Sequence, residues 1–120
     1  MKIIDIDYEV IGLTVKDLCE KNAYEALCLP EPEREVTGGY TGDLLSWVMG
    51  RARSGDAWIT IMSNLNIVAV ASLADPACII LAEGVEPDEG VLQRAEEQGV
   101  NLLRSKNNSF TISAEISALL

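Results

Sequence analysis

Residues 57–73 read A-W-I-T-I-M-S-N-L-N-I-V-A-V-A-S-L, and residues 78–82 read C-I-I-L-A. Ala57 to Met62 and Cys78 to Ala82 are nearly continuous apolar runs rich in β-formers, the pattern of strands covered on both faces in a parallel sheet. The stretch between them, Ile67 to Leu73, suits a strand by its β-branched residues and a buried helix by its small ones. Two parallel neighbours cannot be joined by a tight turn and need a crossover. The stretch is therefore read as a helix, with Ser63, Asn64 and Asn66 offering N-cap oxygens and Asp75-Pro76 ending it.

The alternation extends both ways. Downstream, Glu83-Gly84 closes the strand, Pro87-Asp88-Glu89 opens a helix and Gly99 stops it. In that helix Val91, Leu92 and Ala95 face inward, while Glu89, Arg94, Glu96 and Glu97 face water. Val100 to Arg104 follows as a strand, and Ser109 or its asparagine neighbours cap a last helix ending at Leu120. Upstream, residues 35–49 read E-V-T-G-G-Y-T-G-D-L-L-S-W-V-M, a glycine loop and then a helix over 42–53. Thr41 can cap that helix, which carries Leu44, Leu45, Trp47 and Val48.

Nearer the start, residues 2–11 alternate apolar and acidic as a half-solvated strand. Thr14 and Asp17 have capping-box spacing for a helix through Asn22, with Val15, Leu18 and Cys19 on one side. Tyr24 to Leu29 reads as a short strand and Pro30-Glu31-Pro32-Glu33 as an exposed loop. The expectation is an α/β protein, one compact domain over 1–120 with a mostly parallel sheet. A strand-helix-strand portion fills 1–33, and a motif-bearing portion over 34–120 runs βαβαβα after the glycine loop.

With 48% hydrophobic but only 5% aromatic residues, the core is expected to be Ile, Val, Leu and Ala. Trp47 and Trp58 read as core residues, with an interface as the alternative for Trp47. Nine basic against nineteen acidic residues give a formal charge of −10, which repels phosphate backbones and anionic lipids, so neither nucleic acid nor membrane is an expected partner. No apolar run approaches the roughly eighteen residues of a membrane span. Cys19, Cys28 and Cys78 lack C-x-x-C spacing and no signal-peptide core precedes them, which points to reduced thiols in a cytoplasmic protein. Without histidine, a structural zinc site or a Cys-His nucleophile is not expected, and no metal or cofactor is assigned.

Open parallel sheets bind ligands at the carboxyl ends of their strands. That rule selects Ser63, Asn64 and Asn66 after one strand, Glu83 and Gly84 after the next, and Ser105, Lys106 and Asn107 after the third. Thr37, Gly38, Gly39, Thr41 and Gly42 join them if the glycine loop folds over the same edge. A lysine beside a helix start favours an anion, so a nucleotide or another phosphorylated metabolite fits. The same residue types also cap helices and turn loops, and the glycine pair serves a ligand or a subunit contact equally well. Asp43 reads as a favourable first-turn charge. Glu83 as a base with Lys106 holding an anion is the catalytic arrangement the list offers. No G-x-x-x-x-G-K-[ST], G-x-S-x-G, H-E-x-x-H or complete dinucleotide fingerprint accompanies it, so an enzyme is not expected.

The glycine segment Glu35 to Met49, taken with 57–73, Cys78 to Gly84 and Pro87-Asp88-Glu89, resembles the DRTGG domain. This small module is found in the N-terminal region of some HPr kinase/phosphorylases, in phosphotransacetylases and in CBS-containing pyrophosphatases. The likeness covers most of 34–120 and departs where the motif's acid-arginine pair reads Glu35-Val36. It implies a fold like the N-terminal domain of HPr kinase/phosphorylase and a regulatory rather than catalytic role. Two forms of that role follow: a stand-alone module binding a small phosphorylated ligand such as an adenine nucleotide, or an assembly domain. In the second, Tyr40, Leu44 and Trp47 form the interface of a homodimer or of a complex with a metabolic enzyme.

Overall fold

The computed structural model of the protein describes residues 12–120, and the strand expected over 2–11 lies outside them. In chain order the elements are α1 (Val15–Asn22), β1 (Glu25–Cys28), β2 (Gly38–Thr41), α2 (Leu45–Arg51) and β3 (Asp56–Thr60). Then follow α3 (Asn66–Ala74), β4 (Cys78–Leu81), α4 (Val91–Gln98), β5 (Leu102–Arg104) and α5 (Ser109–Ser117). The sheet order is β1-β5-β4-β3-β2, parallel from β2 to β5, with β1 antiparallel on β5. The α/β class and the mostly parallel sheet are as expected, and the Ile67 to Leu73 stretch is indeed a crossover helix.

Successive strands β2 to β5 are laid side by side in one direction, so crossovers of one hand carry α2, α3 and α4 to a single face. There Val48, Ile67, Val68, Val70, Ala71, Val91 and Ala95 pack on Trp58, Ile79, Leu81 and Leu102. The other face, left bare by the crossovers, is covered by α1 and α5, whose Val15, Leu18, Ile112 and Ile116 meet Ala57, Ile59, Cys78, Ile80 and Leu103. Side chains alternate across the sheet, so β3 and β4 are buried along their whole length, as two covered faces require.

Local chemistry sets several boundaries. Thr14 and Asp17 exchange the two bonds of a capping box, at 3.0 and 3.1 Å, and Gly99 ends α4 with a left-handed φ of 72°. Asn108 caps α5 by accepting from the Thr111 N–H.

Several expectations are corrected. The glycine segment is the edge strand β2 rather than a loop, because Gly38 to Thr41 pair in parallel with Asp56 to Ile59. Thr41 does not cap α2, which starts at Leu45 without a side-chain cap; its hydroxyl pairs with that of Ser113 on α5 at 2.8 Å. Pro87-Asp88-Glu89 is not a first helical turn, since Asp88 bonds Ser63 through both backbone and side chain and α4 begins at Val91. Trp47 is not core: it is 52% exposed, and Leu92 is 42% exposed, whereas Trp58 is fully buried.

Asn101 joins three segments from a buried position. Its amide donates to the carbonyls of Glu31 and Ala77, at 2.7 and 3.0 Å, and its oxygen accepts from the Glu31 N–H at 2.9 Å. Outside, the Arg34 guanidinium grips the Asp75 carboxylate at 3.0 and 3.1 Å and the Asp75 carbonyl at 2.9 Å. The Ser54 hydroxyl adds a 2.6 Å bond to the same carboxylate. Hydrogen bonds from Ser54, then Arg34, hold the Asp75 carboxyl below its usual pKa.

Asn101→Ala leaves the buried Ala77 carbonyl and the partly buried Glu31 backbone without their partner and should cost about 1–3 kcal/mol, read as a lower denaturation midpoint at an unchanged m-value. A carboxyl whose pKa is lowered by folding stabilises the fold above its unfolded pKa and loses that contribution as pH falls through the folded one. Asp75→Asn should therefore flatten the acid limb of stability below about pH 4. For so exposed a pair the difference between pH 6 and pH 3 should stay under about 1 kcal/mol, measured by urea unfolding across that range.

Candidate functional site

The parallel pairing sends the sequence-selected residues to two opposite ends of the sheet. At the carboxyl end, Ser63 donates to Asp88 at 2.9 Å and the Asn64 side chain accepts from the Asn66 N–H at 2.9 Å. The turns after β4 and β5 are knit together, the Glu83 N–H donating to the Asn107 carbonyl and the Gly84 N–H to that of Ser105, both at 2.8 Å. Glu83 adopts a left-handed φ of 62°. Gly84, Ser105, Lys106 and Asn107 border a cleft of about 410 Å³ with Asn22, Glu25, Glu86 and Arg104. Glu25 and Glu86 both pair with Arg104, hydrogen bonds that raise its pKa further and keep it charged. Two carboxylates and two cations leave this cleft without net charge.

Asp43 and Gly42 lie at the same end and serve the scaffold. Asp43 Oδ1 accepts from the Thr60 hydroxyl and the Ile61 N–H, at 2.8 and 2.9 Å, so it precedes α2 instead of charging its first turn. The Gly42 carbonyl accepts from the Trp58 indole at 2.9 Å.

Thr37 and Gly38 stand at the amino end. The Thr37 N–H donates to the Gly55 carbonyl at 2.9 Å, and Gly38 is in register with Asp56, the first residue of β3. A Cβ on Gly38 would lie 2.7 Å from Asp56 Oδ1, so a side chain there would displace the Asp56 carboxylate. Gly39 is freer: a Cβ there meets only the Ala57 carbonyl oxygen, at 3.6 Å.

Thr37, Gly38, Gly39 and Tyr40 form one wall of a cleft of about 430 Å³ completed by Arg51, Arg53, Ser54 and Asp56. Asp56 is buried, and its Oδ2 accepts from the Arg53 N–H at 2.7 Å. The Arg34 and Asp75 contacts described above hold Ser54 at the rim. None of the ion pairs among the described residues involves Arg51 or Arg53. Two guanidiniums against one carboxylate give the cleft net positive charge on a chain of formal charge −10. On the opposite side of β2, Gly39 and Thr41 line a smaller space of about 220 Å³ with Ile59 and residues of α5.

Of the residues lining this cleft, the sequence singles out Thr37, Gly38, Gly39 and Tyr40 as candidates, but not Arg51, Arg53 or Ser54. The available signal was two arginines within three positions at the end of the helix that follows the glycines, in a chain with nine basic residues. The proposed interface residues lie beside this wall. Leu44 is 58% exposed, Tyr40 is half-buried against the core, and the Arg51 guanidinium sits 3.7 Å from the centroid of the Trp47 ring.

No curated protein sequence matches the chain. Among solved structures, it is similar to the CBS and DRTGG domains of the regulatory region of Clostridium perfringens pyrophosphatase, complexed with the activator diadenosine tetraphosphate. The TM-score is 0.69 at 18% identity, over 90% of this chain and 47% of that one. The likeness at that identity is one of fold, and the chain spans about half the length of the structure it matches. The DRTGG domain family model matches residues 43–119, from the residue after Gly42 through the end of α5, and the chain belongs to the DRTGG domain family.

Proposed function

We propose that the protein is a non-catalytic regulatory module that binds a small phosphorylated ligand, an adenine nucleotide, in a cytoplasmic setting. The observation that carries this reading is the amino-end cleft: a glycine wall facing two arginines without described acid partners, plus the Thr37 and Ser54 hydroxyls. Guanidinium forks match phosphate geometry, and a locally positive cleft gathers an anion that the rest of the surface repels. The solved relative's regulatory region, complexed with an adenine-containing activator, supports the same ligand class. The carboxyl-end residues Ser63, Asn64, Asn66, Glu83, Gly84, Ser105 and Lys106 form the alternative ligand edge. Its cleft is already neutralised around Arg104, which makes it the weaker anion site.

A second reading, an assembly role, is favoured by the exposure of Leu44 and Trp47 beside an edge strand that pairs only with β3 among the described residues. Large exposed apolar side chains and an open sheet edge are what a second copy or an enzyme partner would cover.

Arg53→Ala should sharply reduce ATP-dependent thermal stabilisation while shifting the stability of the free protein by less than about 1 kcal/mol, read in paired melts with and without nucleotide. Undiminished ATP stabilisation in that variant would sink the amino-end site. For the assembly reading, Trp47→Asp should convert a dimer to a monomer in native mass spectra; a parent protein that stays monomeric at all concentrations removes self-association.

A further inference from the structure

A nucleotide offers two handles, a base to stack and a phosphate chain to neutralise, and the amino-end cleft is furnished for only one of them. Its polar side chains are two guanidiniums, the Thr37 and Ser54 hydroxyls, the Tyr40 phenol and the Asp56 carboxylate, whose Oδ2 already accepts from the Arg53 N–H. Among the described lining residues Tyr40 is the one aromatic, and it is half-buried. It is packed against the core around Trp58 and Val48, with its ring edge at Gly42, where an added Cβ would lie 3.0 Å from it. Arg51 has a double position: it lines the cleft, and its guanidinium covers the ring of Trp47. An exposed cation–π contact is weaker than a charge-assisted hydrogen bond to phosphate.

We propose that the cleft recognises the phosphate chain rather than the base, and that Arg51 is shared between two positions. It lies on Trp47 when the cleft is empty and turns to the phosphates when the cleft is filled, uncovering the ring. This rests on the ligand-binding reading above and adds its regulation. Ligand occupancy at the amino end changes how much of the α2 surface is open, and by linkage anything that covers the bare Trp47 ring tightens phosphate binding.

The two tryptophans make this measurable, because Trp58 is fully buried and Trp47 is 52% exposed. Acrylamide quenching of the intrinsic emission therefore reports on Trp47. The protein would be titrated with inorganic tripolyphosphate and, separately, with ATP, following heat and quenching in parallel. Saturable binding of both is expected, with a rise in quenching at the same midpoint as the heat. Arg51→Ala should show high quenching before any ligand, no further rise, and about tenfold weaker binding. Arg53→Ala should lose a similar factor yet keep the rise. Binding without any change in quenching, or binding of ATP but not of tripolyphosphate, overturns this inference and leaves the ligand reading standing. Failure of both compounds to bind removes both.

Discussion

Three consecutive parallel pairings, β2 on β3, β3 on β4 and β4 on β5, are the constraint on which the rest of the structure depends. Each needs a crossover, and because the strands advance in one direction the three crossover helices share a face. The second face must then be closed by elements outside the crossovers, which is the work of α1 and α5. Burial on both sides makes β3 and β4 insensitive to polar alternation, so Trp58, Ile79, Ile80 and Leu81 all lie out of water.

The same constraint separates chemistry in space. Every parallel strand enters from one end of the sheet and leaves at the other, so Thr37 and Gly38 cannot share an edge with Ser63, Glu83 and Lys106. The carboxyl end is internally satisfied: turn N–H groups donate across to the next turn, and Arg104 is held between Glu25 and Glu86. Glu115 further ties that end to α5, accepting from the Tyr24 hydroxyl at 2.7 Å, and burial followed by that bond pushes the Tyr24 phenol pKa well up. The amino end differs, because its arginines lie outside the ion pairs among the described residues and its serine is held from behind by the bonds among Arg34, Asp75 and Ser54. A site with unspent charge on a preset frame is the better place for an anion.

Placement at the sheet edge also explains why a glycine pair survives inside a strand. Gly38 leaves room for the Asp56 carboxylate, and Gly39 leaves its side of the strand open. Beside this edge α2 is only seven residues long and lacks a side-chain cap. Packing on α3 through Val48 and Leu45 holds it in place, and Leu44, Trp47 and Met49 remain exposed.

Local sequence determined the class of fold, the crossover helix over 67–73, the capping box at Thr14 and the glycine stop at Gly99, because each follows from backbone geometry or burial pattern within a few residues. It also marked Thr37, Gly38 and Gly39 as a candidate stretch. Only the tertiary structure decided that this stretch is a strand, since glycine has no intrinsic preference for one and the pairing partner lies eighteen residues away. It likewise decided that Trp47 faces outward beneath an arginine and that Arg51, Arg53 and Ser54 meet the glycines. Those positions depend on how α2 is turned against α3 and on which end of a parallel sheet each loop occupies, relations between distant segments that local propensity does not contain.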